Sequence, residues 1–158
     1  VKDAEAVLID VQTPTEADHR PRYESLREVS AEVGKHMRKG TLIVIESTVA
    51  PGTTQNIVKP ILEKASGMKA GRDFLLAFSY ERVMVGRLIK NIVYLPRIVG
   101  GIEEKSTERA MELYGHIVKA KLCPTDALTA EVSKTVENSY RDVNIAFSNE
   151  VALICESL

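Results

Sequence analysis

The sequence predicts an α/β fold, in which a parallel sheet carries helices on its faces and one long helix follows. Three observations predict it. Short apolar runs rich in β-branched residues recur at 6–11, 41–45 and 74–78. The stretches between them repeat apolar residues at helical spacing, and a helical pattern runs from about Ala127 to Leu158. Such β-α-β-α-β alternation favours parallel strands joined by right-handed crossovers.

The first run, Ala6-Val7-Leu8-Ile9-Asp10-Val11, has the continuous apolarity of a strand buried on both faces. It has no earlier partner in sequence, which is unusual for the opening strand of a doubly wound sheet. After the turn-forming Thr13-Pro14-Thr15, Leu26, Val29 and Val33 mark a helix that stops near Lys39-Gly40. Thr41-Leu42-Ile43-Val44-Ile45 is the second strand. A hydroxyl-rich loop from Ser47 to Thr54 leads to a helix marked by Ile57, Val58, Ile61 and Leu62 and containing Pro60. Phe74-Leu75-Leu76-Ala77-Phe78 is the third strand and Arg97-Ile98-Val99-Gly100-Gly101 a further short one. Ala110, Leu113, Tyr114 and Ile117 mark another helix. The last helix would be about 48 Å long at 1.5 Å per residue, too long for a crossover in a small sheet, so it is expected to leave the α/β unit.

With 158 residues, 44% hydrophobic and 27% charged, the chain can bury one core. Its 21 basic and 22 acidic residues nearly cancel, which argues against a global attraction to nucleic acid or an anionic membrane. Two cysteines, Cys123 and Cys155, give no disulfide framework, and His19, His36 and His116 form no metal motif, so no metal is expected. There is no run of about 18 apolar residues and no signal-peptide pattern, so a soluble cytoplasmic protein is expected. Cys155, in the apolar end of the long helix, reads as a packed thiol.

The last helix carries two faces. Lys134, Asn138 and Arg141 fall within roughly 60° of one another at 100° per residue, offering a cation, an amide and a guanidinium to an anionic or alkoxide-forming ligand. Val132, Val136, Tyr140, Val143, Phe147, Val151 and Ile154 line the opposite face, to pack on a core or a partner helix. A merely solvated polar face is the alternative. In parallel sheets ligands sit beyond the carboxyl ends of the strands, so the segments after each run become candidates. The Ser47–Thr54 loop precedes a helix, where exposed N–H groups favour an anion. There Thr53 and Thr54 read as helix caps, and Thr48, beside the strand end, as a ligand-binding residue. Glu81 would either pair with Arg82 at the surface, or orient a water and accept a substrate proton.

Five segments together resemble one family. Thr13-Pro14-Thr15, Glu46-Ser47-Thr48-Val49-Ala50-Pro51-Gly52-Thr53-Thr54, Ser79-Tyr80-Glu81-Arg82-Val83, Ile98-Val99-Gly100-Gly101 and Ala130-Glu131-Val132-Ser133-Lys134-Thr135-Val136-Glu137-Asn138 occur in the order found in nucleotide-sugar 6-dehydrogenases, which act on UDP-glucose, UDP-N-acetylmannosamine or GDP-mannose. The resemblance spans nearly the whole chain. It implies oxidation of a sugar C6 alcohol to a carboxylate by two NAD molecules in succession, through an intermediate held on a cysteine. It implies that Thr13 touches the cofactor, and that Thr48 lies near the nicotinamide and helps position a water. Glu81 would serve acid/base work, Arg82 and Val83 would contact the substrate, and Lys134 and Asn138 would stabilise the oxyanion at C6. Arg141 joins the substrate-binding face.

Glu81-Arg82-Val83 and the run Glu137-Asn138-Ser139-Tyr140-Arg141-Asp142 resemble the UDP-N-acetylmannosamine branch more than the UDP-glucose branch. In the latter a second glutamate is usual where Val85 stands, and Tyr80 replaces a proline usual in both. The family's Gly-x-Gly-x-x-Gly turn and its nucleophilic cysteine segment are not in this sequence. The resemblance therefore implies a central piece: residues 1–124 as the second half of a Rossmann-like parallel sheet binding NAD, and 125–158 as the long helix opening a central dimerisation domain. The nucleotide sugar and a second copy are the expected partners. The runner-up is a non-catalytic remnant that dimerises through the helix; a 6-phosphogluconate or hydroxyacid dehydrogenase would not require these strand-end motifs.

Overall fold

The computed structural model describes residues 1–83 and 86–158, so the expected branch marker at Val85 lies outside the described residues. Five strands form one sheet in the order β1 (Ala6–Ile9), β2 (Leu42–Ile45), β3 (Leu75–Phe78), β4 (Arg97–Gly101), β5 (Leu122–Asp126). The helices are α1 (Glu24–His36), α2 (Lys59–Ser66), α3 (Leu88–Tyr94), α4 (Glu104–Gly115) and α5 (Ala127–Ser157), with a π-helical turn at Thr54–Val58 leading into α2. Pro60 sits in the first turn of α2, where a missing N–H costs nothing.

Period-2 alternation sorts the core. Ile43, Ile45, Leu76 and Phe78 face one side with Leu26 and Val33 of α1, Val58, and Leu62 of α2; Leu42, Val44, Leu75 and Ala77 face the other with Ala110 and Tyr114 of α4. Every residue of β2 and β3 is buried, as a strand covered on both faces requires. Each such side chain contributes about 1.5–3 kcal/mol relative to exposure, which outweighs any local propensity in so short a strand.

Two expectations need correction, and one strand was not expected. β1 is an edge strand, and Leu8, on the α4 side, is 46% exposed, so β1 is not buried on both faces. β4 runs antiparallel to β3, while the β1–β2, β2–β3 and β4–β5 pairs are parallel. Among the described residues the one helix between β3 and β4, α3, is about 10 Å long at 1.5 Å per residue, and the chain starts β4 at the edge where β3 ended. The fifth strand, Leu-Cys-Pro-Thr-Asp, has no sequence signal: Pro124 and Asp126 disfavour strand, and it is tolerated because β5 is an edge.

The two glycines ending β4 serve close packing. A Cβ on Gly100 would lie 2.3 Å from the Asp126 carbonyl oxygen, and one on Gly101 2.4 Å from the Thr107 nitrogen. That contact seats the start of α5 against the sheet, where Asp126 caps it by accepting from the Thr129 amide at 2.9 Å. Ala127 and Ala130 join the α1–α2 side of the core. From residue 139 onward every residue of α5 is exposed, so the helix does leave the α/β unit. Cys155 lies on this free part and is exposed, not packed. No helix among the described residues is long and apolar enough to cross a membrane.

Candidate active site at the carboxyl edge of the sheet

The loops after β1 and β2 are stapled into one ledge. The buried Ser47 hydroxyl accepts from the Val11 amide at 2.8 Å and donates to the Val11 carbonyl at 2.7 Å. Thr13 Oγ1 donates to the Thr48 carbonyl at 2.6 Å. The two predicted cofactor residues are thus bonded to each other, with the side of Thr48 exposed. Tyr23 of the α1 entry holds the loop from below, its hydroxyl accepting from the Ala50 amide at 2.7 Å.

The expected hydroxyl caps do not form. Thr53 Oγ1 donates to the Ala50 carbonyl at 2.6 Å, and Thr54 Oγ1, buried, meets no partner among the described residues. The amides are capped instead from 79 and 77 residues away: Glu131, 1% exposed, accepts from Gly52 N at 2.5 Å and Thr54 N at 2.8 Å. The anion expected at this helix start is therefore a carboxylate of the chain itself, the charge that N–H groups and dipole favour.

α5 also reaches the loop after β3. Lys134, 7% exposed, donates from Nζ to the Glu81 carbonyl at 3.0 Å, and its Nζ lies 3.9 Å from Glu81 Oε1 and 5.0 Å from the Tyr80 ring centroid. Burial pushes its pKa down, against the pull of Glu81 and Glu137 upward. Glu81 Oε2 accepts from the Val83 amide. Arg82 pairs with Glu137 at 2.9 Å rather than with Glu81. Asn138 Oδ1 accepts from Arg141 Nη2 at 2.6 Å, so those two predicted residues touch as well.

Beneath this edge lies an ion pair of a buried arginine and a partly buried glutamate. Because β4 is reversed, its first residue, Arg97, arrives at the carboxyl ends of β2 and β3. Its guanidinium donates to Glu46 Oε1, to Ser79 Oγ at 2.8 Å and to the Ser79 carbonyl at 2.9 Å, and stacks 3.9 Å from the Tyr114 ring centroid. The Tyr114 hydroxyl also donates to Glu46, and burial holds its pKa well above the ordinary phenol value.

The structure thus brings together Thr13 with Thr48, Glu81 with Lys134, and Asn138 with Arg141, and fastens Arg82 to α5. Sequence reasoning missed Glu46, Arg97, Tyr114, Glu131 and Glu137 as site-shaping residues. One signal was available: Glu131, Lys134 and Glu137 recur every three residues, the spacing of one helix face.

Residues 1–118 match the NAD binding domain of the UDP-glucose/GDP-mannose dehydrogenase family, and residues 128–158 match the central domain of the same family. A UDP-N-acetyl-D-mannosamine dehydrogenase of Pyrococcus horikoshii is 43% identical over 154 residues, covering 98% of this chain and 36% of the relative. One from Campylobacter jejuni is 37% identical over 164 residues, covering 99% of this chain and 40% of the relative. The solved P. horikoshii UDP-D-ManNAc dehydrogenase superposes with a TM-score of 0.93 at 43% identity over 97% of this chain and 36% of that one. An NDP-N-acetyl-D-galactosaminuronic acid dehydrogenase from Methanosarcina mazei Go1 superposes at 0.86 with 48% identity, over 98% of this chain and 33% of that one. The chain therefore spans about a third to two-fifths of the length of these proteins.

Proposed function

Because the chain belongs to the UDP-glucose/GDP-mannose dehydrogenase family, we propose that it is part of a longer NAD-dependent oxidoreductase. It oxidises C6 of a nucleotide-linked hexose from alcohol to carboxylate, the substrate being of the UDP-N-acetylmannosamine type. The observation that carries this is the meeting of Lys134 and Glu81: a mostly buried ammonium held beside a carboxylate at the carboxyl edge of the sheet.

The ledge residues fit the nicotinamide end of the cofactor. Thr13 and Thr48 offer hydroxyls and backbone groups that can hydrogen-bond a carboxamide and a ribose. The start of the π-helical turn does not suit the pyrophosphate, since Glu131 already holds its amides. NAD, when bound, supplies the hydride acceptor. The chain's own residues do the rest. Glu81 takes the C6 hydroxyl proton directly or through a water oriented by Thr48, and the Lys134 ammonium with the Asn138 amide, one turn on, stabilises the oxyanion. Arg82, Val83 and Arg141 line the substrate side.

The exposed stripe of α5 supports a homodimer. Val136, Tyr140, Val143 and Phe147 are 60, 72, 66 and 68% exposed, and with Val132, Val151 and Ile154 they repeat at spacings near a coiled-coil seam. Two free thiols, one of them exposed, suit a reducing cytoplasm.

The test is made in the longer protein. UDP-N-acetylmannosamine should yield two NADH per sugar, and Lys134→Ala or Asn138→Ala should lower kcat about a hundredfold, roughly 3 kcal/mol, with modest change in KM. Near-normal kcat in both variants would reduce the face to a structural surface. The 158-residue chain, whose sequence has neither a Gly-x-Gly-x-x-Gly turn nor the family's nucleophilic cysteine segment, is expected to form no NADH.

A further inference from the structure

We propose that Tyr80 and Glu137 are positioning residues for Lys134, clipping the loop after β3 to one turn of α5. Three consecutive loop residues are fastened to two helix residues. The Tyr80 hydroxyl donates to Glu137 Oε2 at 3.1 Å, Arg82 Nε donates to Glu137 Oε1 at 2.9 Å, and the Glu81 carbonyl accepts from Lys134 at 3.0 Å. Each carboxylate oxygen of Glu137 thus holds the residue on one side of Glu81.

Tyr80 does more than fill space. It is 3% exposed, and its ring sits against Phe78 at a centroid distance of 6.2 Å with the Lys134 ammonium 5.0 Å from its own centroid. A ring alone would supply that packing and the cation–π attraction. The hydroxyl adds the bond to Glu137, and burial, then Glu137 itself, push its pKa up to about 12, so it remains a donor throughout the physiological range. The ammonium needs its carboxylates. The charged groups acting on Lys134 are Glu81 and Arg82 from the loop and Glu137 and Arg141 from its own helix, and only the two carboxylates offset the cost of burial. Among the described residues its one hydrogen bond goes to the Glu81 carbonyl, which leaves two N–H groups for a developing oxyanion.

The catalytic meaning of this clip rests on the reading of Lys134 given above, but its test uses no substrate. In the 158-residue chain labelled with 13C-lysine, the Lys134 side-chain signal is identified by its loss in Lys134→Arg and followed against pH. Glu137→Gln keeps the shape and an acceptor for Tyr80 while removing the charge, so the Lys134 midpoint should fall by about one pH unit, the effect of losing a nearby opposite charge. Tyr80→Phe should leave the ring in place and speed amide exchange at Glu81, Arg82 and Val83 by roughly tenfold, the loss of one hydrogen bond to a charged group. A folded Glu137→Gln with an unmoved Lys134 midpoint would overturn the proposal, as would unchanged exchange in Tyr80→Phe. A lowered melting temperature with neither change would leave both residues merely structural, which also overturns it. A shifted midpoint with no C6 oxidation by the longer protein would sink the oxidation reading alone.

Discussion

Replacing Glu131 should destabilise the chain more than any other single polar substitution in α5. The carboxylate is 1% exposed and accepts two backbone N–H bonds, from Gly52 at 2.5 Å and Thr54 at 2.8 Å. Glu131→Ala removes both charge-assisted bonds, leaves the Thr54 amide buried without an acceptor, and opens a void where four side-chain atoms stood. Removing one partner from a buried charged contact costs about 3–5 kcal/mol. Glu131→Gln keeps the shape but turns an NH2 toward one of the two amides, donor against donor, so about 2–3 kcal/mol is expected for the lost charge and the clash. At this chain length, 3–5 kcal/mol lowers the midpoint on the order of 10 °C. The assay is urea unfolding followed by circular dichroism, with midpoints compared at equal slope. Protein concentration is held constant, because association through α5 would add its own stabilisation. If Glu131→Ala unfolds within about 0.5 kcal/mol of the parent, the range of ordinary surface changes, then Glu131 does not cap the turn.

Arg97→Met should cost about 3–5 kcal/mol by leaving Glu46 buried without its cation, and the double variant Arg97→Met with Glu46→Leu should recover part of that loss in the same unfolding assay. Replacing Phe147 and Val151 by Asp should give monomers in sedimentation with the circular dichroism of the α/β half intact; a parent chain that is already monomeric at micromolar concentration would count against the seam. For pH, the Tyr80 hydroxyl is raised in the folded state, so its contribution is complete below pH 10 and is lost as pH rises from 10 through about 12. Stability should therefore fall across that window, and Tyr80→Phe should flatten the fall; an identical profile in the variant would mean that this phenol does not titrate with folding.

Much of the sheet could be read from the sequence because burial on two faces leaves an unmistakable mark. β2 and β3 are continuous apolar runs, and all of their residues are buried. What could not be read is what depends on pairing. The reversal of β4 leaves no trace in Arg97-Ile98-Val99-Gly100-Gly101, since direction is decided by where the connection returns the chain. β5 looks like a turn because Pro124 interrupts it. The openness of Leu8 follows from β1 being an edge, a property of the sheet rather than of the strand.

The helix at the candidate site was legible as two faces, but not as to which of them meets the loops. Lys134, Asn138 and Arg141 share a face, as their spacing requires, but the amphipathic rule assigns the apolar face to the interior, and α5 does the reverse. Glu131 and Lys134 are buried while Val136 and Tyr140 face outward. The cause lies in what the helix meets. Its first turns cross the carboxyl edge, where loop amides and carbonyls stand without strand partners, and the helix answers them with charged side chains: Glu131 accepts from two amides, Lys134 donates to a carbonyl, Glu137 holds a hydroxyl and a guanidinium. A hydrophobic face there would have left those polar groups buried and unmatched. The apolar stripe is displaced to the side away from the loops, where Val136, Tyr140, Val143 and Phe147 stand exposed.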